Sequence, residues 1–183
     1  MAKTEISTLG EFGLIKHLTK DFPTYQPSTQ KAIGDDAAVM HYGDKRTLVT
    51  TDLLLEGIHF NLEYAPLKHL GYKAAVVNFS DIYAMNGTPT RITVSLGISK
   101  RFSVEDLDEL YAGIRLACER YNVDLVGGDT SASLTGLTIS ITCLGSAYDS
   151  DIVYRNGAKV NDLICVTGNL GTAYMGLQLL ERE

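Results

Sequence analysis

The chain is 183 residues long, enough to bury one good core and part of another. Its 45% hydrophobic and 21% charged content describes an ordinary globular protein. A net charge of −6, with no basic stripe interleaved with aromatics, excludes a nucleic-acid binder. No run approaches the ~18–20 uninterrupted apolar residues of a membrane span, and Met-Ala-Lys-Thr-Glu-Ile-Ser at the N-terminus has no signal-peptide core. Cys118, Cys143 and Cys165 are odd in number and widely spaced, with neither a zinc pattern nor a disulfide framework. All three stand in apolar contexts and read as buried thiols, so a cytoplasmic location is expected.

In chain order, residues 8–20 predict an amphipathic helix. Thr8 and Glu11 form a capping-box pattern, and Phe12, Ile15 and Leu18 recur at helical spacing. Asp21 to Gln30, with two prolines, reads as a loop. Gly34-Asp35-Asp36 precedes a strand over 37–41, and Tyr42-Gly43-Asp44-Lys45 reads as a hairpin turn. The strand of residues 46–51 then delivers Thr50, Thr51 and Asp52 at its end, an all-oxygen cluster suited to a hard cation such as Mg²⁺. Thr and Asp are also frequent at turns, so the cluster alone is equally a strand end. The apolar run that follows is interrupted by Glu56-Gly57 and His59.

Pro66 to Met85 predicts a long helix, with Pro66 near its first turn and Asn86-Gly87 as a left-handed close. Leu70, Ala74, Val77 and Ile82 fit its buried side. Asn78 and Asp81 share a face beside it, where a carboxylate needs a partner. Residues 91–98 alternate as a half-buried strand. Ser103 caps a helix running to about Tyr121, with Leu107, Leu110, Ile114 and Ala117 on its apolar face and Tyr111 beside it. A short strand over 123–126 ends in Gly127-Gly128-Asp129-Thr130, which is no P-loop because no Gly-Lys-Ser/Thr follows. Residues 137–144 form another strand, 149–161 a linker carrying Arg155, 163–166 a further strand and 173–180 a helix.

Any one of these acidic motifs could be a turn. Asp35/Asp36, Asp52, Asp81 and Asp129 are all carboxylates beside Gly, Ser or Thr near element ends, which points to a common Mg²⁺–phosphate site. The acidity does not oppose phosphate. Like charges about 4 Å apart repel by about 4 kcal/mol at an effective dielectric of 20, so divalent cations must stand between carboxylates and phosphate.

Ile33-Gly34-Asp35-Asp36-Ala37-Ala38, Thr50-Thr51-Asp52 with Gly57-Ile58-His59-Phe60, Asn78-Phe79-Ser80-Asp81-Ile82, Gly127-Gly128-Asp129-Thr130 and Arg155-Asn156-Gly157-Ala158 occur in this order. In this combination the chain, from about Phe12 onward, resembles the thiamine-monophosphate kinases. These belong to the ATP-binding superfamily that includes aminoimidazole ribonucleotide synthetase. The resemblance implies ATP-dependent phosphorylation of thiamine monophosphate to thiamine diphosphate. Asp36, Thr50, Thr51, Asp52, Asp81 and Asp129 would be Mg²⁺ ligands, with Asp52, Asp81 and Asp129 central to catalysis. Gly128, Asp129, Arg155 and Tyr111 would contact ATP, and His59 the thiamine monophosphate.

The same resemblance implies an α+β fold, a mixed and mainly antiparallel sheet backed by helices, with two sheets pairing into a barrel-like homodimer. Residues 1–150 would be the ATP/Mg-binding and dimerisation domain, and 151–183 the start of a truncated α/β domain. The expectation is weak Mg–nucleotide binding and little turnover by this chain alone. The alternatives are another ATP-using enzyme of the superfamily, of the hydrogenase-maturation type, and a non-catalytic dimerisation module.

Overall fold

Residues 12, 13, 16 and 25–182 are described in the structure, a computed structural model. The helix read over residues 8–20 lies outside the described residues except for Phe12, Gly13 and Lys16, which are helical. The elements are β1 (Thr29–Lys31), β2 (Ala38–Tyr42), β3 (Lys45–Leu55), α1 (Leu67–Ala84), β4 (Thr88–Ile98), α2 (Val104–Tyr121), β5 (Asp124–Ala132), β6 (Thr138–Ala147) and α3 (Thr172–Leu180). The sheet has six strands in the order β1-β2-β3-β6-β4-β5. Every neighbouring pair is antiparallel except β4–β5, which is parallel because α2 carries the chain over between them. The expected α+β class and mainly antiparallel sheet are therefore present.

Alternation decides what lies behind the sheet. Leu48 and Leu54 of β3, Ile139, Ile141 and Cys143 of β6, and Ile92, Val94 and Leu96 of β4 all point to one face and are buried. That face packs on α1, with Ile82 against Gly145 of β6, and α1 packs in turn on α2, where Gly71 meets Leu110 and Ile114 and the Phe79 ring meets Tyr121 edge-on at 5.6 Å. The two helices meet backbone to backbone. A Cβ on Gly71 would stand 1.9 Å from the carbonyl oxygen of Leu110, and one on Gly113 would stand 1.9 Å from that of Lys68.

Helix ends follow the sequence signals. Ser103 Oγ accepts from the Asp106 N–H at 3.2 Å, and the Asp106 carboxylate accepts from the Ser103 N–H at 2.8 Å, a complete capping box. Ser103→Ala is expected to cost about 1 kcal/mol, a fall of ~2–4 °C in Tm, readable by thermal melting. Asn86 closes α1 at φ 57°. Pro66 is the N-cap of α1, one residue before its first turn.

Several expectations are corrected. Thr29 and Gln30, read as the end of a loop, belong to a short edge strand, Thr29–Lys31. The strand read as 46–51 runs to Leu55, so Thr50, Thr51 and Asp52 are interior to it and do not end it. Gly127-Gly128-Asp129-Thr130, read as a turn, lies within β5. Leu163–Val166 is not a strand. It pairs with nothing among the described residues, and Leu163 and Ile164 are exposed; β-propensity alone, without a strand brought alongside, forms no ladder. Cys165 in that segment is exposed and Cys118 half-buried. Only Cys143 is the buried thiol expected, its pKa pushed up to about 12 by burial. No helix among the described residues is long and apolar enough to cross a membrane.

Candidate functional site

Where β3 passes along α1, strand and helix are joined by polar groups in place of apolar contacts. Asn78, wholly buried, donates from its side-chain nitrogen to the Ala74 carbonyl at 3.0 Å and accepts the backbone N–H of Asp52 at 3.1 Å. One helical turn on, Asp81 Oδ2 accepts the Thr50 hydroxyl at 2.7 Å. Thr50 and Asp52 alternate with Thr51, so they face the helix together while Thr51 faces away. The Thr51 hydroxyl is engaged on that other face, donating to the Ile141 carbonyl and accepting from Thr142 Oγ1, each at 3.1 Å.

Burial pushes the Asp52 carboxyl above the usual range, and the charge of Asp81 pushes it further, against a smaller pull from His59. Burial likewise raises Asp81, with Asp36 adding to the rise and the Thr50 hydrogen bond and Arg155 opposing it. Asp36 goes the other way. Arg155 Nη2 donates to its Oδ1 at 2.5 Å and holds that carboxyl low. Asp36, Asp52, Asp81, Thr50, Arg155 and His59 thus form one neighbourhood, assembled from β3 and the loop after it, α1, and the segments before β2 and after β6.

The remaining expected residues stand elsewhere. β5 is three places across the sheet from β3, about 14 Å by strand spacing. Asp129 pairs there with Ser95 and Gly128 with Val94, so neither joins the Asp52–Asp81 neighbourhood within this chain. Tyr111, half-buried on α2, lines a groove of about 980 Å³ between that helix and the start of β5, with Ile114, Cys118, Leu125 and Val126. A Cβ on Gly128 would stand 1.8 Å from the Val94 carbonyl oxygen, which accounts for the glycine without any ligand. Gly128→Ala is expected to lower stability by about 1–3 kcal/mol, measurable by urea unfolding.

Among the described residues, no three His, Cys, Asp or Glu side chains stand close enough to hold an ion by themselves. The donor set nonetheless fits Mg²⁺. It is all oxygen, and its two partly desolvated carboxylates carry more negative charge than Arg155 offsets. Mg²⁺ is commonly held by one or two carboxylates, with phosphate oxygens and water completing its shell.

Some residues escaped the sequence reading. Glu56 pairs with Arg101 and accepts the Leu137 N–H at 2.8 Å, tying three segments together beside the site. Lys73 and His69 line a second groove with His59. The signal for Lys73 was available, since Lys73, Val77 and Asp81 recur at helical spacing on one stripe of α1.

Known proteins share this fold. Residues 34–147 match the family model for AIR synthase related protein, N-terminal domain. The chain is 38% identical over 178 residues to a thiamine-monophosphate kinase of Aquifex aeolicus, covering 97% of this chain and 55% of that relative. It is 35% identical over 178 residues to that of Bacillus subtilis, covering 96% and 54%. The solved structure of AaThiL complexed with AMPPCP and TMP matches all of this chain and 56% of that one, with 36% identity and a TM-score of 0.88. The chain spans about half the length of the curated relatives it matches. The resemblance read from the ordered acidic motifs is thus met by sequence and by fold, and the chain belongs to the AIR synthase related family, whose N-terminal domain it carries.

Proposed function

We propose that this chain supplies the Mg²⁺–ATP-binding part of an enzyme that phosphorylates thiamine monophosphate, giving thiamine diphosphate and ADP. The observation that carries the reading is the convergence of Asp36, Asp52 and Asp81, far apart in sequence, with Asp52 and Asp81 held partly out of water beside one another. The likeness to thiamine-monophosphate kinases supports the choice of acceptor.

In this reading Asp36, Asp52, Asp81 and Thr50 hold magnesium, which when bound cancels the repulsion between two polyanions and stabilises the leaving phosphate. Asn78 fixes the strand carrying Asp52, and Thr50 orients Asp81. Arg155, the counter-ion of Asp36 in the absence of ligand, turns to a phosphate oxygen of ATP. Tyr111 lies beside the nucleotide base, with Gly128 and Asp129 toward its phosphates. His59 meets the phosphate of the acceptor. That phosphate oxygen is already anionic at neutral pH, so the reaction asks for no general base.

Thr51 faces away from α1 and Asp129 stands three strands across the sheet, so each joins a metal set only through a nucleotide or second chain that reaches it. A homodimer formed through the sheet face of Thr51, Leu53 and Thr142 suits that requirement. Residues 1–150 form the nucleotide-binding and dimerising domain, 151–183 open a second α/β domain, and the reaction is cytoplasmic. Calorimetry tests the core of this reading. Heat of ATP binding that appears only with Mg²⁺, followed by further heat on adding thiamine monophosphate to the chain loaded with Mg²⁺ and a non-hydrolysable analogue, supports it. No Mg²⁺-dependent nucleotide binding would leave a non-catalytic assembly module.

A further inference from the structure

A groove of about 790 Å³ runs between residues 57–65, the first turns of α1 and the inner side of α3. Its walls carry three basic side chains, His59, His69 and Lys73, set among Ile58, Phe60 and Leu70, with Glu181, the C-cap of α3, also on the lining. Two hydrogen bonds define what the basic groups present. The backbone N–H of Leu55 donates to His59 Nδ1 at 2.9 Å. A backbone amide can only donate, so Nδ1 is the bare nitrogen and the neutral ring carries its proton on Nε2. Lys73 Nζ donates to the His59 carbonyl oxygen at 2.8 Å, which uses one of its three N–H bonds. The ammonium is thereby held at the His59 loop with donors to spare.

We propose that Lys73 joins the Nε2–H of His59, already placed on the acceptor above, as a second phosphate donor, and that Lys73 separates the phosphorylated acceptor from the unphosphorylated one. The identity of the acceptor rests on the function proposed above; the anion site does not. The placement suits the chemistry. His59 is near enough to Asp52 to lower its pKa, so an anion on this pair adjoins the acidic neighbourhood where a metal-bound donor would lie. Lys73 precedes Asp81 by eight residues on α1, about 12 Å along the axis, so the helix bears a cation for one anion and a carboxylate for the metal of the other. Glu181, of the sign that repels phosphate, leaves the Lys73–His59 end as the anion's place.

The first probe is inorganic phosphate, titrated into the ¹⁵N-labelled chain without metal or nucleotide and followed through the imidazole resonances. The His59 resonance should shift to saturation, Lys73→Gln should weaken binding by about tenfold or more, and Lys73→Arg should restore most of it. A His59 resonance that phosphate does not move, or a Lys73→Gln variant that binds phosphate as well as the parent, would overturn the site. The second probe is thiamine monophosphate against thiamine, on the chain loaded with Mg²⁺ and a non-hydrolysable ATP analogue. Lys73→Gln should weaken only the phosphorylated ligand and leave nucleotide affinity within about twofold. Equal weakening of both ligands would reduce Lys73 to a loop support and overturn the proposal. Phosphate bound through Lys73 by a chain that shows no affinity for thiamine monophosphate would uphold the anion site and overturn the acceptor reading.

Discussion

Asp81→Asn is expected to weaken Mg²⁺-dependent nucleotide binding by at least ~10²-fold, while making the metal-free chain more stable at neutral pH. Both effects have one cause. The Asp81 carboxyl is partly desolvated and raises the pKa of Asp52 by its charge. An amide can still accept the Thr50 hydroxyl now held at 2.7 Å, so the fold loses a charge and keeps a hydrogen bond. The gain should be of the order of 1 kcal/mol, or ~2–4 °C in Tm.

Its pH dependence fixes the mechanism. Asp52 and Asp81 have folded-state pKa values above their ordinary value of 3.8, so the folded chain binds more protons than the unfolded one in the window above that value. Their contribution is favourable below that pH and is lost as pH rises through the folded-state values. The advantage of Asp81→Asn should therefore be full at pH 7 in metal-free buffer and should vanish as pH falls into the carboxylate range. Asp36 and Glu56, lowered by Arg155 and Arg101, act in the opposite sense. Thermal melts across pH, with calorimetry at pH 7, check both halves. A variant that loses stability at neutral pH would show that Asp81 is a structural hydrogen-bond partner only.

The largest effect on stability is expected at the helix contact. Gly71→Ala puts a Cβ 1.9 Å from the Leu110 carbonyl oxygen, a backbone atom that cannot step aside without moving α2. Alanine gains up to ~1 kcal/mol in helix propensity, but parting two packed helices should outweigh it, for a net loss of about 3 kcal/mol and ~6–12 °C in Tm. Gly176→Ala on α3, where a Cβ meets nothing within 4 Å, is the control. Because α1 carries Asn78 and Asp81, the variant should also weaken nucleotide binding even at temperatures where it remains folded. A melting temperature equal to the parent's would show that the helices do not rest on this contact.

The parts of the fold set by local chemistry were legible in the sequence. The alternation of residues 91–98, the Ser103–Asp106 capping box and the Tyr42–Lys45 turn each rest on neighbours within a few residues, and each is present. What depends on distant partners was not. Leu163–Val166 has strand composition and no strand paired with it, whereas Thr29–Lys31 has weak composition and pairs with β2. Gly127-Gly128 carried the signature of a turn, yet both lie in an extended strand, with Gly128 pressed on Val94.

In the site, spacing on α1 placed Asn78 and Asp81 together as expected. Thr50, Thr51 and Asp52 read as one oxygen cluster, although the two-residue period of a strand divides them between faces once the strand is known to continue. The distance from Asp129 to Asp52 could not be read at all. It follows from β6, late in the chain, inserting between β3 and β4. Lys73 shares the helix stripe of Val77 and Asp81, but a lone lysine on a helix has the ordinary composition of a solvated face.

A crystal of the chain soaked with Mn²⁺ and a non-hydrolysable ATP analogue, examined by anomalous scattering, gives the most direct test of the shared acidic pocket. The expected result is a metal peak ligated by Asp81 together with Asp52 or Asp36, with Arg155 released from Asp36 toward the phosphates. Metal and nucleotide bound away from these carboxylates, with the Asp36–Arg155 pair intact, would contradict it.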